Sequence, residues 1–224
     1  MEKAKIVQNF GRNLRFKPKH IYSPDNRVEL TDILQKHNNG KIRVVASKHS
    51  WSDLIETEDV LIDMSHFNYV RLQEKNHETS VTVGAGCKVK QLLVELSRKG
   101  LTIPSVGLIA EQTIAGATAT GTHGSGKHSL SHYIESLQLA CFDETGKSAQ
   151  IVNITEGESL QAARCSLGCL GVVVEMTLPC IPQYFVQEKS TFCKSIEEVL
   201  VLESQAPLQQ FFLMSPSLYF FAQE

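Results

Sequence analysis

The chain has 224 residues, 42% hydrophobic and 21% charged, with a formal net charge of −2. That is ordinary globular composition, enough for one large domain or two small ones. Lysine and arginine are spread without a basic run, which argues against a protein that grips the phosphate backbone of nucleic acids.

The opening residues carry charge but no apolar stretch of signal-peptide length, and the longest apolar runs are strand-sized. A cytosolic protein without a membrane segment in this chain is expected, with membrane association through a segment outside it left open. The six cysteines, Cys87, Cys141, Cys165, Cys169, Cys180 and Cys193, lack zinc-site spacing. They read as reduced thiols, and no metal is expected.

In chain order, Val28, Leu30, Ile33 and Leu34 predict a helix over 28–35. Gly40 breaks it, and 41–46 reads as a strand rich in Val and Ile, with further short strands at 59–64 and 80–83. After Gly84-Ala85-Gly86, the spacing of Val89, Leu92, Leu93 and Leu96 predicts a helix over 88–98 that stops at Gly100. Residues 101–132 are rich in Gly, Ala, Ser and Thr and show little periodicity. Runs at 135–142 and 148–154 flank Asp143-Glu144-Thr145-Gly146, a hairpin signature. A helix over 159–166 and a buried strand over 171–178 lead to Pro179-Cys180-Ile181-Pro182, read as a boundary. The remainder offers a strand-like 184–192, a helix over 196–204 and apolar runs at 211–214 and Leu218-Tyr219-Phe220-Phe221. The alternation of short strands with amphipathic stretches argues for an α+β or α/β architecture, here taken as α+β.

Two loops carry chemistry. Ser47-Lys48-His49-Ser50-Trp51 leaves a buried strand directly, so its backbone N–H groups lack ladder partners and suit a phosphate. Alone, this signal is weak, and an ordinary surface loop with a Ser, a Lys and a His is the better description. The second loop, from Ile114-Ala115-Gly116 to Gly124-Ser125-Gly126, has too few large side chains to build a core. Its small residues permit close approach to a flat or bulky ligand, and its alanines are unlike a solvated linker. No G-x-G-x-x-G joins a strand to a helix, and the P-loop pattern is absent.

At these residues the chain resembles the PCMH-type FAD-binding domain of the vanillyl-alcohol-oxidase superfamily, closest to the alditol, L-gulonolactone and D-arabinono-1,4-lactone oxidases. The matching pieces occur in family order: 42–46 with His49-Ser50-Trp51; Val81-Thr82-Val83-Gly84-Ala85-Gly86; Gly100-Leu101 with Pro104; Ile114-Ala115-Gly116 through Gly126; and Ser166-Leu167-Gly168 with Leu170-Gly171-Val172-Val173. The resemblance covers about 12–182 and implies two α/β subdomains, about 12–100 and 101–182, with FAD between them. Residues 183–224 would then begin an incomplete substrate-binding cap domain.

The resemblance also implies roles. Ser47, Lys48, His49, Ser50 and Trp51 would hold the FAD pyrophosphate, with Trp51 read as packing. Thr113, Gly116, Ala117, Thr120 and His123 would line the flavin and its ribityl chain, His123 being as well explained by bonds to nearby backbone. Val172 or Val173 would offer backbone groups. His49 stands where many members link a histidine covalently to the flavin, and Lys48 where many have glycine. The implied activity is oxidation of a sugar-lactone or polyol CH–OH by hydride transfer to flavin N5, with molecular oxygen as acceptor. A truncated FAD-binding module without turnover is the alternative. The family's C-terminal catalytic motif does not occur here, so no catalytic base is named.

Overall fold

The computed structural model describes residues 6–75, 78–124, 127–203, 205, 209–214 and 219–223. In chain order its elements are β1 (Val7–Gln8), β2 (Arg15–Phe16), β3 (His20–Tyr22), α1 (Arg27–Lys36), β4 (Ile42–Val45), β5 (Val60–Asp63), β6 (Val70–Lys75) and β7 (Glu78–Gly84). There follow α2 (Val89–Ser97), β8 (Leu101–Thr102), α3 (Ile114–Ala119), β9 (Ser136–Phe142), β10 (Ala149–Ile154), α4 (Gly157–Arg164), β11 (Val172–Pro179) and β12 (Ile181–Pro182). The last elements are β13 (Ser190–Cys193), α5 (Ile196–Glu203), β14 (Gln210–Met214) and β15 (Tyr219–Gln223).

A three-stranded parallel sheet, ordered β3-β5-β4, faces a five-stranded antiparallel sheet, ordered β10-β9-β11-β7-β6. Helix α1 begins where Asn26 accepts a hydrogen bond from Glu29 N at 3.0 Å, and it carries Glu29 in its first turn and Lys36 in its last. Both charges suit the helix dipole. Its apolar stripe, Leu30 and Leu34, packs with Val60, Ile62, Met64, Ala140, Val172 and Val174, filling the space between the two sheets. The opposite face of the five-stranded sheet holds the larger core, where Val81, Val83, Leu137, Leu139, Met176 and Leu178 meet Leu92 and Leu96 of α2, Ile114 and Ala117 of α3 and Leu160 of α4. Each fully buried Leu or Ile there contributes about 2 kcal/mol.

β11 serves both cores. Its register shifts between Val173 and Glu175, a bulge. Before the bulge Val172 and Val174 face the inter-sheet core; after it Met176 and Leu178 face the other one. Alternation alone would keep all four on one side, and the extra residue is what turns the strand over.

Arg27, at the start of α1, ties the helix to the sheet. Its guanidinium donates to Glu175 Oε2 at 2.8 Å and to Gln138 Oε1 at 3.0 Å, and the Tyr69 hydroxyl donates to Glu175 Oε2 at 2.6 Å. Burial, reinforced by the Glu175 carboxylate, pushes the Tyr69 phenol up to about 12.

The expected elements are present, with differences that have physical causes. β6 was hidden by its polar residues, Arg71, Gln73 and Glu74, which with Leu72 are exposed, as suits an edge strand. The 101–132 stretch holds α3 and a 3-10 turn at Leu130–Tyr133, both too short to show a period. The strand expected over 184–192 begins only at Ser190 and runs to Cys193. The five-stranded sheet takes β6 and β7 from one side of residue 100 and β9, β10 and β11 from the other, so it crosses the division expected at 100–101. β13, β15 and β14 form a separate antiparallel sheet whose core is Cys193, Val199 and Ala222. Ser204 and Leu218, part of the readings of that region, lie outside the described residues.

Two glycines join the sheets. A Cβ on Gly86 would stand 1.9 Å from Met64 O, and one on Gly84 would stand 2.2 Å from Phe67 O. Gly86 N also donates to Phe67 O at 2.9 Å. Both obstacles are backbone, so neither can swing aside. Gly86→Ala is therefore expected to destabilise the protein by about 3 kcal/mol or more, lowering the midpoint of thermal unfolding by roughly 10 °C, as read by circular dichroism.

A second expectation concerns alkaline pH. Burial pushes the Cys87 and Cys180 thiols up to about 11, beside the raised Tyr69. The unfolded chain thus gives up these protons first, and stability falls as pH rises from the ordinary thiol range near 9 toward 12. Thermal melts from pH 8 to 11 should show this decline, with a shallower slope in Cys87→Ala.

Candidate functional site

The site is built at the carboxyl ends of the parallel strands, where open α/β sheets bind ligands. Leaving β4, the chain turns at Lys48, whose φ of 56° is left-handed. That conformation costs a side-chain-bearing residue about 1–2 kcal/mol. An ion pair holds it: Lys48 Nζ donates to Asp63 Oδ2, at the end of β5, at 2.9 Å and to Ala46 O at 3.4 Å. Among the described residues, the backbone N–H groups of Ser47, Lys48, His49 and Ser50 donate to no protein acceptor. A left-handed residue inside such a row makes a concavity of donors suited to an anion.

The carbonyls of the same loop are fixed by the first hairpin. Phe10 N donates to Lys48 O at 3.0 Å, Asn9 Nδ2 to Ser50 O at 2.9 Å and Asn13 Nδ2 to Trp51 O at 3.0 Å. Asn9 is buried, and its Oδ1 also accepts from Leu14 N. Phe10 stacks on His49, with ring centroids 4.2 Å apart and planes inclined by 13°, and meets Trp51 edge-on at 4.5 Å. Trp51 remains 67% exposed and lies over Gly11, where a Cβ would come within 2.5 Å of its ring. Sequence reading missed this hairpin, having begun the domain at residue 12. The signal was the turn-rich Asn9-Phe10-Gly11-Arg12-Asn13 between apolar Val7 and Phe16.

α3 divides the second loop's residues by face. Ile114, Ala117 and Thr118 point into the core, whereas Ala115, Gly116, Ala119 and Thr120 form the opposite side, with Gly116 and Thr120 exposed. The Ala117 side chain, expected to line a ligand, is fully buried in the core. Thr113 caps the helix, its Oγ1 accepting from Gly116 N at 3.4 Å. Thr120 Oγ1 donates back to Gly116 O at 3.1 Å, and buried Thr118 donates to Met176 Sδ at 3.6 Å. His123 is exposed, with Nδ1 at 3.1 Å from Gly124 O. Gly124 is packed against the chain itself, since a Cβ there would come within 2.6 Å of Val106 O. Ser125 and Gly126 lie outside the described residues.

A relay of backbone contacts connects the two loops. Met64 N donates to Val45 O, Gly86 packs on Met64 O, and Ile114 N donates to Cys87 O at 2.8 Å. Ala85 N donates to Val174 O at 2.9 Å, bringing β11 to the same place. The β7–β11 ladder stops at the pair Gly84 and Glu175, so the β7-side edge of Val172 and Val173 is unpaired by that ladder. Two open grooves of about 420 and 350 Å³ lie elsewhere and are lined by neither loop. Among the described residues, no group of three or more His, Cys, Asp or Glu could hold a metal ion. Nor is any described helix long and apolar enough to cross a membrane.

The comparisons with known proteins agree with this architecture. A family model described as an FAD binding domain matches residues 18–149. The chain belongs to this FAD-binding family, and FAD is its cofactor. It is 46% identical to a long-chain alcohol oxidase from an uncultured marine euryarchaeote, over 92% of this chain and 43% of that protein. It is 32% identical to L-gulonolactone oxidase of Mus musculus, over 86% of this chain and 44% of that enzyme. D-arabinono-1,4-lactone oxidase of Debaryomyces hansenii is 31% identical, over 84% of this chain and 36% of the enzyme. The chain thus spans less than half the length of these relatives. A crystal structure of cholesterol oxidase from B. sterolicum shares the fold with a TM-score of 0.82 at 15% identity, covering 99% of this chain and 47% of that one.

The Lys48 geometry yields an expectation about stability. Lys48→Ala keeps the left-handed strain and loses the ion pair, so it should destabilise by about 1 kcal/mol. Lys48→Gly loses the same pair but relieves about 1 kcal/mol of strain. Urea unfolding should therefore find Lys48→Gly near the wild type and Lys48→Ala below it.

Proposed function

We propose that this chain is the FAD-binding half of an FAD-dependent oxidase that takes a hydride from the CH–OH of a sugar lactone, an alditol or another alcohol and passes the electrons to molecular oxygen. The observation that carries the cofactor site is the row of unpartnered amides at Ser47, Lys48, His49 and Ser50. These residues fit the pyrophosphate of FAD, whose oxygens accept hydrogen bonds without competing with any protein group. The exposed Gly116 and Thr120 side of α3, flanked by Thr113 and His123, suits a ligand that needs close backbone approach. Val172 and Val173 add main-chain groups from the open edge of β11. Bound FAD supplies the hydride-accepting N5 and the route of electrons to oxygen.

The substrate class is supported by the relatives, named for long-chain alcohols, L-gulonolactone and D-arabinono-1,4-lactone. No observation favours a binding module without turnover. The six cysteines are all free, which supports a reducing compartment such as the cytosol. The remaining length of the relatives is where we place the substrate contacts and the catalytic base.

His49 sits in the middle of the amide row, and neither of its ring nitrogens has a hydrogen-bond partner among the described residues. We assign it as the residue that holds FAD covalently. The test is to express the protein, precipitate it with acid and look for flavin in the pellet. The wild type should leave yellow, fluorescent pellet, and His49→Ala should release all its flavin to the supernatant. Soluble, folded, colourless protein that takes up no added FAD would refute the site as a whole.

A further inference from the structure

We infer that Phe10 is a positioning residue for His49, and that the first hairpin is the device by which this protein presents that imidazole to its cofactor. This rests on the reading of His49 as the FAD attachment point.

The argument starts from what holds the His49 ring. No hydrogen bond fixes either ring nitrogen among the described residues, so the ring's orientation depends on packing. Among the described residues, its ring partner is Phe10, stacked face-on at 4.2 Å and 13°. A near-parallel ring restricts tilt about the imidazole plane without engaging either nitrogen. A donor clamped onto the unprotonated nitrogen would have occupied the lone pair that bond formation needs. Phe10 is itself fixed from two sides, its N–H to Lys48 O and its ring against Trp51. Asn9 and Asn13 then hold the carbonyls of Ser50 and Trp51, so five contacts from one hairpin converge on the five-residue loop.

Core packing does not account for Phe10. Its side chain is 42% exposed, and it belongs to none of the buried clusters. The hairpin's contribution to the core comes from Val7 and Phe16, which pack with Val45 and Leu61. The hairpin therefore divides its work: Val7 and Phe16 anchor it, and the turn between them shapes the loop.

In the attachment itself, an unprotonated imidazole nitrogen forms a bond to the flavin 8α carbon. A methyl C–H proton and the imidazole N–H proton are released, and two electrons remain on the ring system. Molecular oxygen takes the electrons and both protons as hydrogen peroxide, restoring the oxidised flavin. Phe10 takes no part in the bond changes; it fixes the direction of the nitrogen.

The test compares Phe10→Leu, Phe10→Trp and the wild type. Each is prepared without flavin and mixed with FAD in air. Acid-stable flavin fluorescence is followed over time, beside thermal melts and flavin released reversibly at the start. Leucine keeps apolar bulk without a ring face; tryptophan keeps the face. Phe10→Leu is expected to attach flavin about threefold to tenfold more slowly, the range that an aromatic pair's energy corresponds to. Its melting temperature and initial reversible occupancy should stay near the wild type, and Phe10→Trp should attach at nearly the wild-type rate. Attachment in Phe10→Leu at the wild-type rate would overturn the positioning role and leave the His49 reading intact. A fall in melting temperature that parallels the loss of attachment would make Phe10 a structural residue and overturn the role as well. Wild-type protein whose flavin all stays acid-soluble would overturn the His49 reading, and this inference with it.

Discussion

The fold depends on backbone meeting backbone where the two sheets touch. At the end of β7, Gly84 and Gly86 admit the carbonyls of Phe67 and Met64 at distances no side chain would allow. This contact sets the parallel strands beside the antiparallel ones, and it fixes where the chain leaving β5 lies relative to the chain entering α2. Both loops of the site inherit their positions from it, through Val45 and Met64 on one side and Cys87 and Ile114 on the other. A close approach of this kind is stiff, because backbone cannot change rotamer. A site made mainly of main-chain donors needs that stiffness, since its geometry is the geometry of the chain.

The bulge in β11 belongs to the same arrangement. By adding one residue it lets a single strand contribute Val172 and Val174 to the inter-sheet core and Met176 and Leu178 to the other. It also falls where β7 ends, so β11 runs on past its neighbour with an unpaired edge.

Much of this was legible in the sequence, for reasons that can be named. Helices α1 and α2 announce themselves because a buried stripe at helical spacing survives in any context: Leu30 and Leu34 in one, Leu92 and Leu96 in the other. The hairpin of β9 and β10 was marked by the residues of its turn. β4 and the loop after it were marked by the change from Val and Ile to Ser, Lys and His. What stayed hidden shared one property, that the deciding contact is long-range. The hairpin at residues 7–16 is two short strands whose importance lies in bonds to residues near 50. α3 is six residues long, and its division into a core face and an open face follows from what packs on Ala117, not from its own composition. The family resemblance named the candidate residues, and the geometry separated Gly116 and Thr120, which face outward, from Ala117, which does not.

The Lys48–Asp63 pair has a consequence for how the loop distinguishes anions. The lysine stands among the free amides, yet its charge is already neutralised at 2.9 Å by a carboxylate that is largely shielded from water. An arriving phosphate therefore meets a field made mostly by oriented peptide dipoles, not by an unpaired cation. Dipoles fixed in direction act over short range and reward oxygens held in the right places, whereas a free ammonium rewards any negative charge nearby. On the proposed assignment, the loop selects for the shape of a pyrophosphate over charge as such. Its grip on that group should change little with ionic strength, because there is little net charge left for salt to screen.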